Sequence, residues 1–181
     1  MKEIKYPNGS QYKPSSNPLT TISKGMDLEA MINNTNQFYY QNNLAWVVKY
    51  PTPIHVMQTQ GNFITKAVYN TPSCCDYIGF RKGHGFIFEA KTTQNKSRFY
   101  INQIAPHQLL HLHDALNQGC SAFIIVYFKI HQKAYFLDAA HLLNSIQNGV
   151  KSYTIEQFNQ AHCLIESKNI QCPLDYLSFI M

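Results

Sequence analysis

The sequence predicts an α/β domain built around a mixed β-sheet. Residues Ser121 to Phe128 (SAFIIVYF) are almost all apolar, the signature of a central strand covered on both faces. Amphipathic helical stretches alternate with short strand-like runs, an order that layers helices on a sheet. The chain can also fill a core: of 181 residues, 45% are hydrophobic and only 14% charged, which excludes a disordered polyelectrolyte. That length suits one compact domain with an appendage.

Residues 1–25 are rich in Pro, Asn, Ser, Tyr and Lys without periodicity and read as an extended basic arm. The remainder, 26–181, reads as a single domain. A helix is expected from 26 to about 41, where Leu28, Met31, Ile32, Thr35 and Tyr39 form a stripe at helical spacing. A short strand over 44–48 follows, with Trp46 expected in the core, as are Phe38, Tyr39 and Tyr40. After Pro51 and Pro53, two extended runs at 55–57 and 62–69 flank Gln58-Thr59-Gln60-Gly61 and predict a hairpin within about 54–70. Its polar tip and thin apolar content make it project rather than pack. Strands over 76–80 and 86–91 enclose a basic turn, Arg81-Lys82-Gly83-His84-Gly85. A helix over 106–117 has Pro106 in its first turn and Gly119 beyond its end. After the central strand come a hairpin partner at 133–137 and a helix from 139 to 148 capped by Asp138. A short helix begins at Thr154, and a final edge strand is expected over 174–181.

Charge is unevenly placed. The 15 Lys plus Arg exceed the 10 Asp plus Glu, giving +5. From Ala30 to His113 the only carboxylates are Asp76 and Glu89, among seven Lys and Arg. A surface that has shed its acids suits a phosphate backbone. The five cysteines include no Cys-x-x-Cys pair, so neither a zinc ribbon nor a disulfide framework is indicated. No window has the length and apolarity of a membrane span, and the first residues lack the apolar core of a signal peptide. No membrane association is expected, and the cytoplasm is the default compartment.

The two isolated acids carry the chemistry. In a strand, Glu89 and Lys91 project to one face while Phe88 and Ala90 project to the other. Asp76 opens the preceding antiparallel strand and reaches the sheet end where Glu89 emerges. Two converging carboxylates repel unless a divalent cation sits between them. Hard oxygen ligands suit Mg²⁺, with Mn²⁺ as a substitute. Lys91 beside them can orient or deprotonate a water, or stabilise developing charge. His107 and His111 share a helix face but lack a following Glu, and read as surface or nucleic-acid contacts rather than a zinc pair.

The Asp76…Glu89-x-Lys91 pattern resembles the PD-(D/E)xK nuclease superfamily. Further segments resemble RecU-type Holliday junction resolvases in order and spacing. They include YPNG at 6–9, GMDLE at 25–29, NNTNQFYY at 33–40, KYPTPIHV at 49–56 and SCCDYIG at 73–79. FEAKTTQNKSRF at 88–99, HQLLHL at 107–112, YFLDAAHL at 135–142 and PLDYLSF at 173–179 continue the likeness. The resemblance implies a restriction-endonuclease-like fold with a projecting stalk hairpin. It implies catalytic roles for Asp76, Glu89, Lys91 and Gln108, and metal binding by Asp76 and Glu89 with help from Glu29. It also implies a homodimer acting on four-way junction DNA, with recombinase and branch-migration proteins as associates. With such a substrate, Lys24, Lys66, Arg81, Lys82, Lys96 and Arg98 become expected phosphate contacts. The expected activity is Mg²⁺-dependent resolution of junctions in recombination and repair. Two alternatives remain at this point: a restriction-like nuclease acting on duplex DNA, or a non-catalytic DNA-binding accessory protein. The chain departs from the pattern at Lys24, where an Arg is usual. It also has Cys74-Cys75 in place of two threonines, and Ile87 and Thr92 where acids are often found.

Overall fold

The structure, a computed structural model, describes residues 27–69, 73–161 and 163–180. The arm expected over 1–25, and Lys24 with it, lies outside the described residues. Helix α1 (Leu28–Gln41) begins at Asp27, whose Oδ1 accepts a hydrogen bond from the Leu28 amide at 2.8 Å. Strands β1 (Trp46–Lys49), β4 (Tyr77–Arg81) and β5 (His84–Thr93) form an antiparallel meander. Between β1 and β4 the chain leaves the domain as the hairpin β2 (Ile54–Gln60) and β3 (Phe63–Tyr69), which pair only with each other. After β6 (Arg98–Tyr100), helix α2 (Pro106–Asn117) carries the chain over to β7 (Ser121–Phe128). Strand β7 lies parallel to β5, the arrangement that a helical crossover permits. Strand β8 (Lys133–Asp138) returns antiparallel to β7, giving the sheet order β1-β4-β5-β7-β8. Helix α3 (Ala139–Gln147), strand β9 (Ser152–Thr154) and helix α4 (Ile155–Gln160) complete the described domain, with β9 pairing β6. This is the expected mixed sheet flanked by helices and carrying a projecting hairpin.

Each sheet face has its own core. On one, α1 and the C-terminal segment cover Phe86, Phe88 and Phe123, with Phe88 stacked between Tyr77 and Phe123 at 4.8 Å on either side. On the other, α2, α3 and α4 cover Ile124, Val126 and Phe128 through Leu112, Leu142 and Phe158. Strand β7 is thus buried on both faces, as its apolar run requires. The alternation of β5 sends Phe88 and Ala90 into the first layer and Ile87 toward the second.

Several expectations are corrected. The C-terminal segment is no edge strand; it makes a 3₁₀ turn, Tyr176–Phe179. Tyr176, Leu177 and Ile180 are all buried, a spacing that strand alternation cannot satisfy. The Tyr39 hydroxyl donates to Asp175 at 2.8 Å and the Tyr176 hydroxyl donates to Asn36. Trp46 is not core: it is 51% exposed and stacks on Phe80, because α1 covers only the face of edge strand β1 that presents Val47. Tyr40 is exposed as well, on the outer side of α1. The β6–β9 ribbon was not among the elements expected from the sequence.

Candidate active site

Two elements bring the expected residues together. Asp76 stands immediately before β4, and its Oδ2 accepts a hydrogen bond from the Ala90 amide at 2.9 Å. That bond ties the carboxylate to β5 between Glu89 and Lys91. Glu89 is buried, and its side chain retains only 1% of its exposure. Lys91 Nζ lies 3.5 Å from Glu89 Oε2.

Gln108 completes the cluster from the first turn of α2. Its Oε1 accepts from the Ala105 amide at 3.0 Å, closing the helix N-terminus, and from Lys91 Nζ at 2.8 Å. Its Nε2 donates to Glu89 Oε2. One amide side chain therefore holds both the lysine and the glutamate in place. Glu89 Oε1, in contrast, is buried without a hydrogen-bond partner. A buried, unpaired carboxylate oxygen is costly, and burial with the adjacent Asp76 charge pushes Glu89 up to about 8 despite Lys91. An orphan oxygen beside a second carboxylate is a donor set that fits a hard divalent cation. Among the described residues, no three His, Cys, Asp or Glu side chains cluster as a ready-made metal cage. A cation here would keep open positions for water or substrate oxygens.

Glu29 lies across a cavity of about 280 Å³ that Asp27, Lys49, Asp76 and Tyr77 also line. It is bound to Lys49 Nζ at 2.6 Å, with both side chains about half exposed. Glu29 therefore shares a cavity with Asp76 but is occupied by a lysine. The sequence reading missed Asp27 and Lys49. Asp27 had a signal, an acid just before an apolar helical stripe. Lys49 had none, because it reaches the cavity only through the β1–β4 pairing.

The expected phosphate contacts scatter. Lys96 and Arg98 follow β5 in a loop closed by Asn95, which accepts from the Ser97 amide at 2.9 Å and the Arg98 amide at 3.0 Å, and the Arg98 guanidinium donates to Ser152 Oγ at 3.2 Å. Arg81 and Lys82 sit at the opposite end of the β4–β5 hairpin, where Arg81 pairs with His84. The Arg81 guanidinium donates to the carbonyls of Leu177 and Ile180, so it fastens the C-terminal turn rather than standing free for phosphate. Lys66 lies exposed on the hairpin, opposite Gln58. Among the described residues, His107 and His111 belong to no group of metal-ligating side chains, and His113 contacts Asp114 and Asn117. Burial, the neighbouring Cys74 and the charges of Glu89 and Asp76 push the Cys75 thiol well above its usual range.

The site is thus a carboxylate–lysine cluster on a mixed α/β sheet, with Asp76 just before β4 and Glu89 and Lys91 on the adjacent β5. The family model for Recombination protein U matches residues 23–181, so this chain belongs to that family. A Holliday junction resolvase RecU of Bacillus cytotoxicus is 32% identical over 192 residues, covering 98% of this chain and 96% of the relative. One from Bacillus cereus (strain B4264) is 34% identical over 190 residues, covering 96% and 94%. The solved structure of the Holliday junction resolvase Hjc of Archaeoglobus fulgidus matches with a TM-score of 0.44 at 9% identity. It covers 73% of this chain and 92% of that one.

Proposed function

We propose that this protein is a structure-selective endonuclease that resolves four-way DNA junctions by divalent-metal-dependent phosphodiester hydrolysis. The observation that carries the reading is the buried, half-satisfied Glu89 beside Asp76, linked to Lys91 through Gln108. The named activity of the relatives supports the same substrate.

Asp76 and Glu89 would hold the cation, Mg²⁺ or Mn²⁺, with Glu29 available across the cavity once Lys49 releases it. The bound cation would acidify a water and neutralise charge on the phosphate. Asp76 is held by the Ala90 amide, so its free oxygen is aimed without further reorganisation. Lys91 places a positive charge where an anionic transition state forms, or orients the attacking water. Gln108 positions both, because it accepts from Lys91 and donates to Glu89. Lys96 and Arg98, in the segment that follows β5, suit phosphates beyond that strand's end.

Shape selection falls to the hairpin. Every residue of β2 and β3 is exposed, including Phe63 at 78% and Tyr69 at 81%. Strands of that length extend about 20 Å. Such a stalk fits the open centre of a junction and finds no matching space in a continuous duplex. A homodimer would supply two sites for two symmetric incisions. Recombinase and branch-migration proteins are fitting associates, and the cytoplasm a fitting compartment. The test is strand cleavage by Asp76→Asn and Glu89→Gln. Each variant should lose at least about a hundredfold in cleavage while binding junction DNA as tightly as before, or tighter. Wild-type cleavage by either would refute the site.

A further inference from the structure

Beside the carboxylate site lies a pair of thiols that the hydrolytic chemistry does not use. Cys74 and Cys75 precede Asp76, and their sulfurs are 3.6 Å apart. Cys74 is half-buried, whereas Cys75 is 1% exposed. Neither thiol is in a disulfide.

The geometry points to a capture site for trivalent arsenicals, in which Cys74 and Cys75 together bridge one arsenic atom and thereby disable the adjoining carboxylate site. A disulfide is the poorer outcome. Adjacent residues hold their Cα atoms about 3.8 Å apart, less than the roughly 4.4–6.8 Å that disulfides span. A single atom inserted between the sulfurs needs neither a wider Cα spacing nor closure of the 3.6 Å gap to an S–S bond. Simple thiolate binding of a cation is also disfavoured, because among the described residues no third His, Cys, Asp or Glu clusters with the two sulfurs to complete its coordination. Capture of an arsonous acid adds no charge. Two S–H and two As–OH bonds break, two As–S bonds form, and two waters leave. Arsenic stays trivalent, so no oxidant or reductant is consumed. Accessible Cys74 reacts first, and Cys75 closes the ring intramolecularly.

The consequence follows from position. Asp76 is anchored to Ala90 by one hydrogen bond, and a rigid ring formed by the two preceding residues alters the approach of that carboxylate. This loss of cleavage rests on the nuclease reading above; the capture itself does not.

The experiment treats the full chain with one equivalent of phenylarsine oxide and reads intact mass and junction cleavage in parallel. One phenylarsenic per chain is expected, with cleavage falling about tenfold or more relative to the untreated protein. A dithiol such as 2,3-dimercaptopropanol should restore cleavage, and an equal concentration of monothiol should not. Cys74→Ser and Cys74→Ala should take up no arsenic and keep their own untreated rates. An adduct of unchanged stability in the Cys74 variants overturns the site. So does an adduct fully removed by monothiol, or one that leaves wild-type cleavage unchanged. Should untreated protein cut no junction, the nuclease reading fails, and the mass result alone decides the capture.

Discussion

Glu89 sits in an environment that opposes its charge. It is a carboxylate with one oxygen tied to Gln108 and Lys91 and the other left without a partner inside the protein. Its pKa, raised to about 8 by burial and by Asp76, sets the sign of a stability effect. The folded state holds the Glu89 proton more tightly than the unfolded chain, so this stability is complete below the usual glutamate range. It is lost as pH rises through about 8. In chelator, wild type should therefore weaken between about pH 5 and pH 9, by up to several kcal/mol. Glu89→Gln should lack that dependence and be the more stable protein at high pH. Denaturant melts at both pH values with EDTA would measure it; parallel pH profiles for the two proteins would contradict the buried-carboxylate account. The pairing of Asp76, Glu89 and Lys91 was legible from strand alternation and from the scarcity of other acids. The neighbours that tune them were not. Lys49 arrives through sheet pairing, and the orphan oxygen is a property of packing.

At the scale of elements, those with strong local signals stand where the sequence put them. Helix α2 and strand β7 have the expected bounds because Pro106, the helically spaced Leu109, Leu112 and Leu116, Gly119 and a continuous apolar run agree with one another. Segments whose state depends on distant partners were misread. The 174–180 stretch is held by Tyr39, Asn36 and Arg81, more than ninety residues away, and Trp46 is exposed only because β1 is an edge. The hairpin was recognised as projecting, but its tip is less polar than expected: Phe63 and Ile64 stand exposed beside Gly61-Asn62. No residue of β2 or β3 is buried, so the domain does not depend on them. Replacing residues 58–66 with a short Gly-Ser turn should leave the melting temperature nearly unchanged. The same change should erase the preference for junction over duplex in gel shifts at fixed salt. A retained junction-to-duplex ratio in that folded variant would remove the stalk from the mechanism.

At the scale of the whole molecule, each chain contributes one Asp76–Glu89–Lys91 cluster, and resolving a junction takes two incisions. The twofold dimer proposed above would meet that demand, since its two sites would face strands of like polarity. Specificity must come from shape, because contacts to phosphates carry no sequence information. The most direct measurement is cleavage of a synthetic four-way junction with each strand labelled in turn, beside a matched duplex, with Mg²⁺ and with EDTA. The account predicts Mg²⁺-dependent incisions at symmetric positions in two strands of like polarity, leaving nicks that ligase seals, and little cutting of the duplex. Equal cleavage of duplex and junction, or incision of a single strand only, would contradict it.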